Sequence, residues 1–196
     1  MALFLALLAT ATNFVPWGRG ADLALHAWVV AHRQNTVLAM AAVLTNLGAS
    51  WVTIPLVAVV AFATTTADVR RRITRTAVVV AVMVSGALCR WGLAELIARP
   101  RPPRHDWAVS AYGLAFPSGH TTEAALAAGL MAWLLARRVG AHWLILAGAV
   151  GYAVVVGATR VYLGVHWPTD VLGGWAFAAA WLALVRLALP VARRPT

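Results

Sequence analysis

Residues 76–96 read TAVVVAVMVSGALCRWGLAEL, an apolar stretch interrupted only near its end by one arginine and one glutamate. A helix needs about 20 apolar residues to cross the roughly 30 Å of hydrocarbon in a bilayer. This stretch has the required length and contains no proline. It therefore predicts a transmembrane helix.

Five further apolar stretches resemble it, and together they predict six spans: residues 1–16, 50–67, 76–96, 120–136, 141–158 and 169–189. The first is short, but no basic residues precede it, so a retained span is favoured over a cleaved signal peptide. Only 11% of the 196 residues are charged, against about a quarter in a soluble domain. We predict an all-α, polytopic membrane protein that forms a single domain over residues 1–196, with six transmembrane helices.

The segment 18–49 differs from these spans because polar side chains interrupt it, among them His26, His32 and Arg33. Burying such groups in hydrocarbon is costly. We therefore predict one or two interfacial helices on the outer side of the membrane. His26, His32 and His142 have no evident partners in the sequence and are interpreted as interfacial residues.

Arginine placement predicts the orientation. The chain has 16 basic residues against 6 acidic ones, and every basic residue is an arginine. With six spans and a cytoplasmic N-terminus, one side collects Arg70, Arg71, Arg72, Arg75, Arg137, Arg138, Arg193 and Arg194. The positive-inside rule makes that side cytoplasmic, so both termini are expected in the cytoplasm of a multi-pass protein of the cell (inner or plasma) membrane. The arginines are scattered between apolar runs, which argues against a nucleic-acid partner.

The predicted outer side nevertheless keeps several cations, in loops 97–119 and 159–168. The segment Arg99-Pro-Arg-Pro-Pro-Arg104 follows the third span, and Phe116-Pro-Ser-Gly-His120 opens the fourth. A third segment, Arg160-Val-Tyr-Leu-Gly-Val-His-Trp-Pro-Thr-Asp170, joins the fifth span to the sixth. Cations retained on the translocated side need another purpose, which indicates a functional site.

These residue types suit phosphoryl transfer. Guanidinium groups match phosphate oxygens two at a time and stay charged. Ser118 can cap the fourth span, and Gly119 lets an anion approach the N–H groups of a helix N-terminus. Asp170 lies four residues after His166, within reach of its ring. A carboxylate there fixes the tautomer and leaves the other nitrogen free to attack.

The three segments resemble the signature of the type 2 phosphatidic acid phosphatase superfamily, which reads Lys-x6-Arg-Pro, Pro-Ser-Gly-His and Arg-x5-His-x3-Asp. The last two motifs are matched in full, and the resemblance covers nearly the whole chain. It implies that His166 attacks phosphorus to form a phosphohistidine, that Asp170 orients His166, and that His120 protonates the leaving group. It also implies a set of phosphate-binding groups: Arg101, Ser118, Gly119 and Arg160.

One position departs from the signature, because Ala94 stands where the family has lysine. Arg90, one helical turn earlier on a similar face, and Arg99 are candidate auxiliary cations. Glu95 is expected to pair with Arg99 at i,i+4 spacing, and Glu123 to pair with an arginine or to tune His120. The resemblance implies no metal and no cofactor, and the sequence offers no carboxylate cluster for magnesium.

The predicted function is hydrolysis of a lipid phosphate or diphosphate through a phosphohistidine. A polyprenyl diphosphate of cell-wall carrier recycling is the first candidate substrate, with phosphatidate or phosphatidylglycerophosphate second. Two alternatives remain open: a transferase that passes the phosphoryl or head group to another lipid, and a non-catalytic lipid-binding bundle. The sequence leaves the oligomeric state open.

Overall fold

The structure is a computed structural model that describes residues 16–138 and 140–188. Within these ranges the helices are α1 (Pro16–Ala31), α2 (Asn35–Leu44), α3 (Ser50–Thr64), α4 (Val69–Ile97), α5 (Gly119–Ala136), α6 (His142–Tyr162) and α7 (Pro168–Ala188). Two short 3-10 helices cover Thr45–Gly48 and Arg104–Asp106. The described ranges hold no strand, so the all-α prediction is confirmed. The predicted first span, residues 1–16, lies outside them except for its last residue.

Three helices, α4, α6 and α7, are long and apolar enough to cross a membrane. A fourth candidate arises if Asn35–Gly48 and Ser50–Thr64, which meet at a 54° bend, count as one broken span. Helix α5 coincides with the predicted fourth span, but its first turn carries His120 and Glu123, which lower its apolarity. Six spans therefore stay a prediction.

Helix α5 is the centre of the bundle, since it packs against α3, α4, α6 and α7. Its buried residues include the polar side chains of its first turn, Thr121, Thr122 and Glu123. The same helix contributes Leu126 and Leu134 to the apolar core, where both are fully buried. Because neighbouring helices surround α5, its polar turn avoids the cost of facing hydrocarbon.

Local signals in the sequence set the helix ends nearest the three segments 99–104, 116–120 and 160–170, which are called the cationic segments below. Ala98 ends α4 in a left-handed conformation with φ 52°, and its N–H donates to the Ala94 carbonyl at 2.8 Å. Pro100 follows, and proline cannot continue a helix. Pro168 begins α7, at the helical position that needs no N–H partner. Arg99 and His166 consequently lie immediately outside helices, with rigid elements beside them.

Two glycines of α7 let this helix approach the turn before α5. A Cβ at Gly173 would lie 2.3 Å from the ring of Phe116, and one at Gly174 would lie 3.1 Å from the Ser118 carbonyl oxygen. Real Cβ atoms do not approach other atoms as closely as the first of these distances. Helix α7 thereby brings the third cationic segment against the second.

Candidate active site

His166 and Asp170 form a buried pair at the start of α7. His166 Nδ1 lies 3.3 Å from Asp170 Oδ2, and the two side chains are 1% and 0% exposed. The Trp167 N–H donates to the same carboxylate oxygen at 2.8 Å. A carboxylate in this place favours a proton on Nδ1, which leaves the lone pair on Nε2. The sequence spacing of four residues thus brings the pair together as predicted.

Arg101 lies against the other nitrogen of the same ring. Its Nη1 is 2.7 Å from His166 Nε2 and donates to the Val165 carbonyl at 2.8 Å. Its Nε and Nη2 donate to the carbonyls of Gly113 and Tyr112. Because a guanidinium can only donate, Nε2 must accept, which agrees with the proton on Nδ1. A phosphate bound here would take the place of the contact between Arg101 and Nε2.

The surroundings of His166 also determine its charge. Burial, together with the positive charges of Arg101 and Arg160, lowers the pKa of the His166 imidazole well below its usual value. A histidine ordinarily titrates near pH 6.5. The ring is therefore neutral at physiological pH, which is the form that can attack as a nucleophile.

Ser118, Gly119 and His120 form the entrance to α5. Ser118 occupies the N-cap position, but its hydroxyl makes no capping bond to the backbone; it accepts from the Thr121 hydroxyl at 3.0 Å. Ser118 thus takes the N-cap position that the sequence allowed, but its hydroxyl accepts no N–H of the first turn. The Ser118 N–H donates to the Asp170 carbonyl at 3.1 Å, which joins the second and third cationic segments.

His120 is partly exposed and is surrounded by charge. The charged side chains of Arg160, Arg101 and Arg90 lie close to its ring, and so does the neutral ring of His166. The predicted partners His120 and His166 thus belong to one cluster.

Arg160 lies in the last turn of α6, because that helix runs further than the predicted fifth span and leaves only residues 163–167 between α6 and α7. Its side chain is 4% exposed. Nη1 donates to the Thr45 hydroxyl at 2.8 Å, whereas Nε is buried without a partner. Leaving a buried charged donor unpaired is costly, and an anion at this place would supply the missing acceptor.

Arg90 reaches the same place from α4. A Cβ at Gly119 would lie 3.5 Å from the guanidinium carbon of Arg90, so this group covers the first residue of α5. Its Nε is buried without a partner. The Glu123 carboxylate of α5 lies close enough to attract this guanidinium electrostatically. Ala94, which replaces the family lysine, is 2% exposed. Of the two candidate auxiliary cations, Arg90 is the one that lies at the Pro-Ser-Gly-His turn.

Arg99, the other candidate, lies on the far side of Asp170 from the His166 ring. It forms ion pairs with Asp170 and with Asp22 of α1, and it donates to the Thr169 hydroxyl at 2.8 Å. The expected pairing with Glu95 is wrong, because Glu95 is exposed and both ion pairs of Arg99 go elsewhere. Asp22 carries no motif signal, so sequence reasoning missed it.

His26 also differs from its interpretation as an unpartnered interfacial residue. Its side chain is buried, and Nε2 lies 3.0 Å from Asp106 Oδ2. Arg33 contacts the same loop, since its Nη1 donates to the Asp106 carbonyl at 2.6 Å and its Nε to the Tyr162 carbonyl at 2.9 Å. Residues of segment 18–49 therefore support the loops that carry the cationic cluster.

Residues 75–194 match the family model of the PAP2 superfamily, and this match spans more than half of the chain. The chain belongs to the PAP2 superfamily. The family resemblance drawn from the three segments is thereby confirmed. Membership of this family explains why the His166–Asp170 pair, His120 and several arginines lie together at one end of a helical bundle.

Relatives within the PAP2 superfamily extend the likeness to nearly the full length. The chain is 34% identical over 194 residues to phosphatidylglycerophosphatase B of Bacillus subtilis, which covers 94% of this chain and 90% of that protein. A crystal structure of a transmembrane PAP2-type phosphatidylglycerolphosphate phosphatase from Bacillus subtilis matches with a TM-score of 0.84 at 30% identity. That match covers 95% of this chain and 94% of the other.

A shorter match is to undecaprenyl-diphosphatase of Sulfolobus acidocaldarius, 36% identical over 70 residues, or 36% of this chain and 31% of that protein. The relatives are lipid phosphatases, and the apolar helices of this chain indicate a membrane-embedded protein. The prediction of a membrane phosphatase is confirmed.

Proposed function

We propose that this PAP2 phosphatase hydrolyses the phosphate monoester of a phosphatidylglycerophosphate-type lipid, through a phosphohistidine on His166 and without a metal ion. The observation that carries the proposal is the chain Asp170–His166–Arg101, in which one nitrogen of the buried ring faces a buried carboxylate and the other faces a partly exposed cation that can bind phosphate. The near full-length likeness to phosphatidylglycerophosphatase B supports this lipid over the polyprenyl diphosphate that the sequence favoured. Polyprenyl diphosphate remains the second candidate because of the shorter match to an undecaprenyl-diphosphatase.

In the first step of the proposed reaction the substrate phosphate displaces Arg101 from His166 Nε2, and this nitrogen attacks phosphorus. A P–N bond forms, the bond from phosphorus to the lipid oxygen breaks, and His120 gives the leaving oxygen a proton. In the second step His120 accepts a proton from water, the resulting hydroxide attacks phosphorus, and the P–N bond breaks. Inorganic phosphate leaves and the imidazole of His166 is restored.

The cations of the site have the role of stabilising charge on the phosphate oxygens. Arg101, Arg160 and Arg90 supply three guanidinium groups, and the buried, unpartnered Nε atoms of Arg160 and Arg90 are the donors that a phosphate would satisfy. The Ser118 hydroxyl and the N–H of Gly119 add donors at the N-terminus of α5. Fixed donors aimed at developing charge are the main source of rate enhancement in phosphoryl transfer.

Phosphate release from a panel of lipids in detergent tests this assignment. With a chelator present we expect phosphate from phosphatidylglycerophosphate, less from undecaprenyl diphosphate, and little effect of the chelator on either rate. The expected chelator resistance follows from the three guanidiniums, which supply the charge that a metal would otherwise bring. Activity that appears only on addition of magnesium would contradict the metal-free mechanism.

The transferase alternative has its own signature in the same assay. If the radiolabelled phosphoryl group is recovered on an added acceptor lipid instead of in inorganic phosphate, the enzyme is a transferase and not a hydrolase.

We further propose six spans, cytoplasmic termini and an active site on the outer side of the cell membrane. The Arg138 side chain donates to the Thr64 carbonyl and the Thr66 hydroxyl, so the loops before α4 and after α5 adjoin. Helix α4 has 29 residues, roughly 43 Å at 1.5 Å per residue. It separates these arginine-rich loops from the active site, as the positive-inside rule requires.

Cysteine labelling tests this orientation. His105 and Arg71 form a matched pair, because each side chain is 81% exposed and they lie at opposite ends of the bundle, Arg71 in the first turn of α4 and His105 in the loop after it. In a Cys89→Ser background on intact cells, a membrane-impermeant maleimide is expected to label His105→Cys but not Arg71→Cys. The reverse pattern would invert the topology.

A further inference from the structure

We infer that Asp22 is a positioning residue of the proposed reaction, acting through Arg99 and Thr169 on the Asp170–His166 pair. The inference rests on the proposed function of His166 as the nucleophile. It assigns a role in the reaction to α1, a helix outside the three signature segments.

Asp22 is as buried as the residues of the apolar core, and both of its carboxylate oxygens accept hydrogen bonds. It is 1% exposed although it lies on a helix that is mostly exposed. Its Oδ1 accepts the Thr169 N–H at 2.9 Å, and its Oδ2 accepts from Arg99 Nη2 at 2.6 Å and from the Thr169 hydroxyl. A carboxylate is rarely buried to this extent unless it is paired, and each of its partners here leads to Asp170.

Arg99 connects the two carboxylates. One terminal nitrogen, Nη2, binds Asp22, and the other, Nη1, binds Asp170 Oδ1 and the Thr169 hydroxyl. The second oxygen of Asp170 is thereby left for His166 Nδ1 and the Trp167 N–H. With both nitrogens engaged, Arg99 is fixed behind the histidine, and it fixes in turn the direction in which Asp170 faces the ring.

The net charge of this network is opposite in sign to the charge that the reaction creates on the His166 ring. Asp22 and Asp170 carry one negative charge each and Arg99 carries one positive charge, so the network is net negative beside a neutral imidazole. When Nε2 forms its bond to phosphorus while Nδ1 keeps its proton, the ring becomes cationic, and ring and network together become neutral. Without Asp22 the ring, Asp170 and Arg99 would together carry a net positive charge after the same step, and charge interactions are strong where side chains are buried.

The Asp22→Asn variant tests the role of this charge while it preserves the shape of the side chain. We expect kcat to fall about 10- to 100-fold, the loss that is typical when an outer partner that orients a metal ligand is removed, with KM changed by less than about threefold because the phosphate ligands are untouched. The rate of phosphoenzyme formation should fall with kcat. The matched control is Asp68→Asn, which removes an exposed carboxylate beyond the other end of α4 and should leave kcat unchanged.

The outcomes separate this inference from the proposed function. If the parent protein never becomes labelled by a radiolabelled substrate, the proposed function fails whatever Asp22 does. If the parent is labelled and folded Asp22→Asn is labelled at the parent rate, the inference about Asp22 is overturned.

If Asp22→Asn does not fold, Thr169→Val is the test, because it keeps the size of the side chain and removes the hydroxyl that accepts from Arg99 and donates to Asp22. A loss of about 3- to 10-fold in kcat, the effect of one hydrogen bond, with KM unchanged supports the inference. Parent kcat in Thr169→Val overturns it.

Discussion

The His166→Asn variant is expected to lose about 10⁴-fold or more in kcat on every lipid phosphate, which is the scale of losing the central residue of a catalytic triad. Asparagine keeps a polar side chain in the buried space but has no nitrogen lone pair that can attack phosphorus. Arg101 and Arg160 remain, so substrate should still bind. The measurement is phosphate release at saturating substrate, together with binding of a non-hydrolysable lipid phosphonate.

A matched control comes from His105, whose side chain is 81% exposed. His105→Asn makes the same chemical change outside the site and is expected to keep parental turnover. A folded His166→Asn protein that retained even a tenth of parental kcat would exclude this ring as the nucleophile.

The second large effect is expected at Arg90. Arg90→Met keeps the length of the side chain and removes the charge that covers Gly119, and we expect kcat/KM to fall about 10²- to 10³-fold, as when one fixed donor to a developing oxyanion is lost. The exposed Arg186 provides the matched control, since Arg186→Met should keep kcat/KM within about twofold of the parent.

A second-site rescue distinguishes charge from packing at Arg90. Ala94→Lys restores the family lysine one helical turn away, and in the Arg90→Met background it should recover most of the lost kcat/KM. The same change in the parent should bring no gain, because Arg90 already supplies the cation. Full activity in Arg90→Met alone would show that Arg90 does not act on the phosphate.

The parts of the site that the sequence predicted are those with short-range physical causes. The spacing of four residues places Asp170 next to His166. Pro168 marks the first turn of α7, because proline is favoured at the first position of a helix in any protein. The apolar stretches after residue 50 coincide with α3 to α7, because about 20 apolar residues in succession have few alternatives to a helix.

The parts that the sequence missed depend on contacts between distant residues. Asp22 and Arg99 are 77 positions apart, and neither periodicity nor spacing connects them. The pairing of Glu95 with Arg99 failed because two buried carboxylates outcompete an exposed one at i,i+4. The reach of Arg90 to Gly119 depends on how α4 crosses α5, which no local pattern encodes. His26 was assigned to the interface because its partner, Asp106, lies in a loop 80 residues away.

The most direct test of the account is to trap the covalent intermediate. His120→Gln with an aryl phosphate is the favourable case, since an aryl oxide leaves without a proton while water attack still lacks its base, so the phosphoenzyme should accumulate. We expect a label that is stable in alkali and labile in acid, located on the peptide that contains His166 and absent when His166→Asn is added. Continued phosphate release by the parent with no label on His166 at any quench time would contradict the central claim.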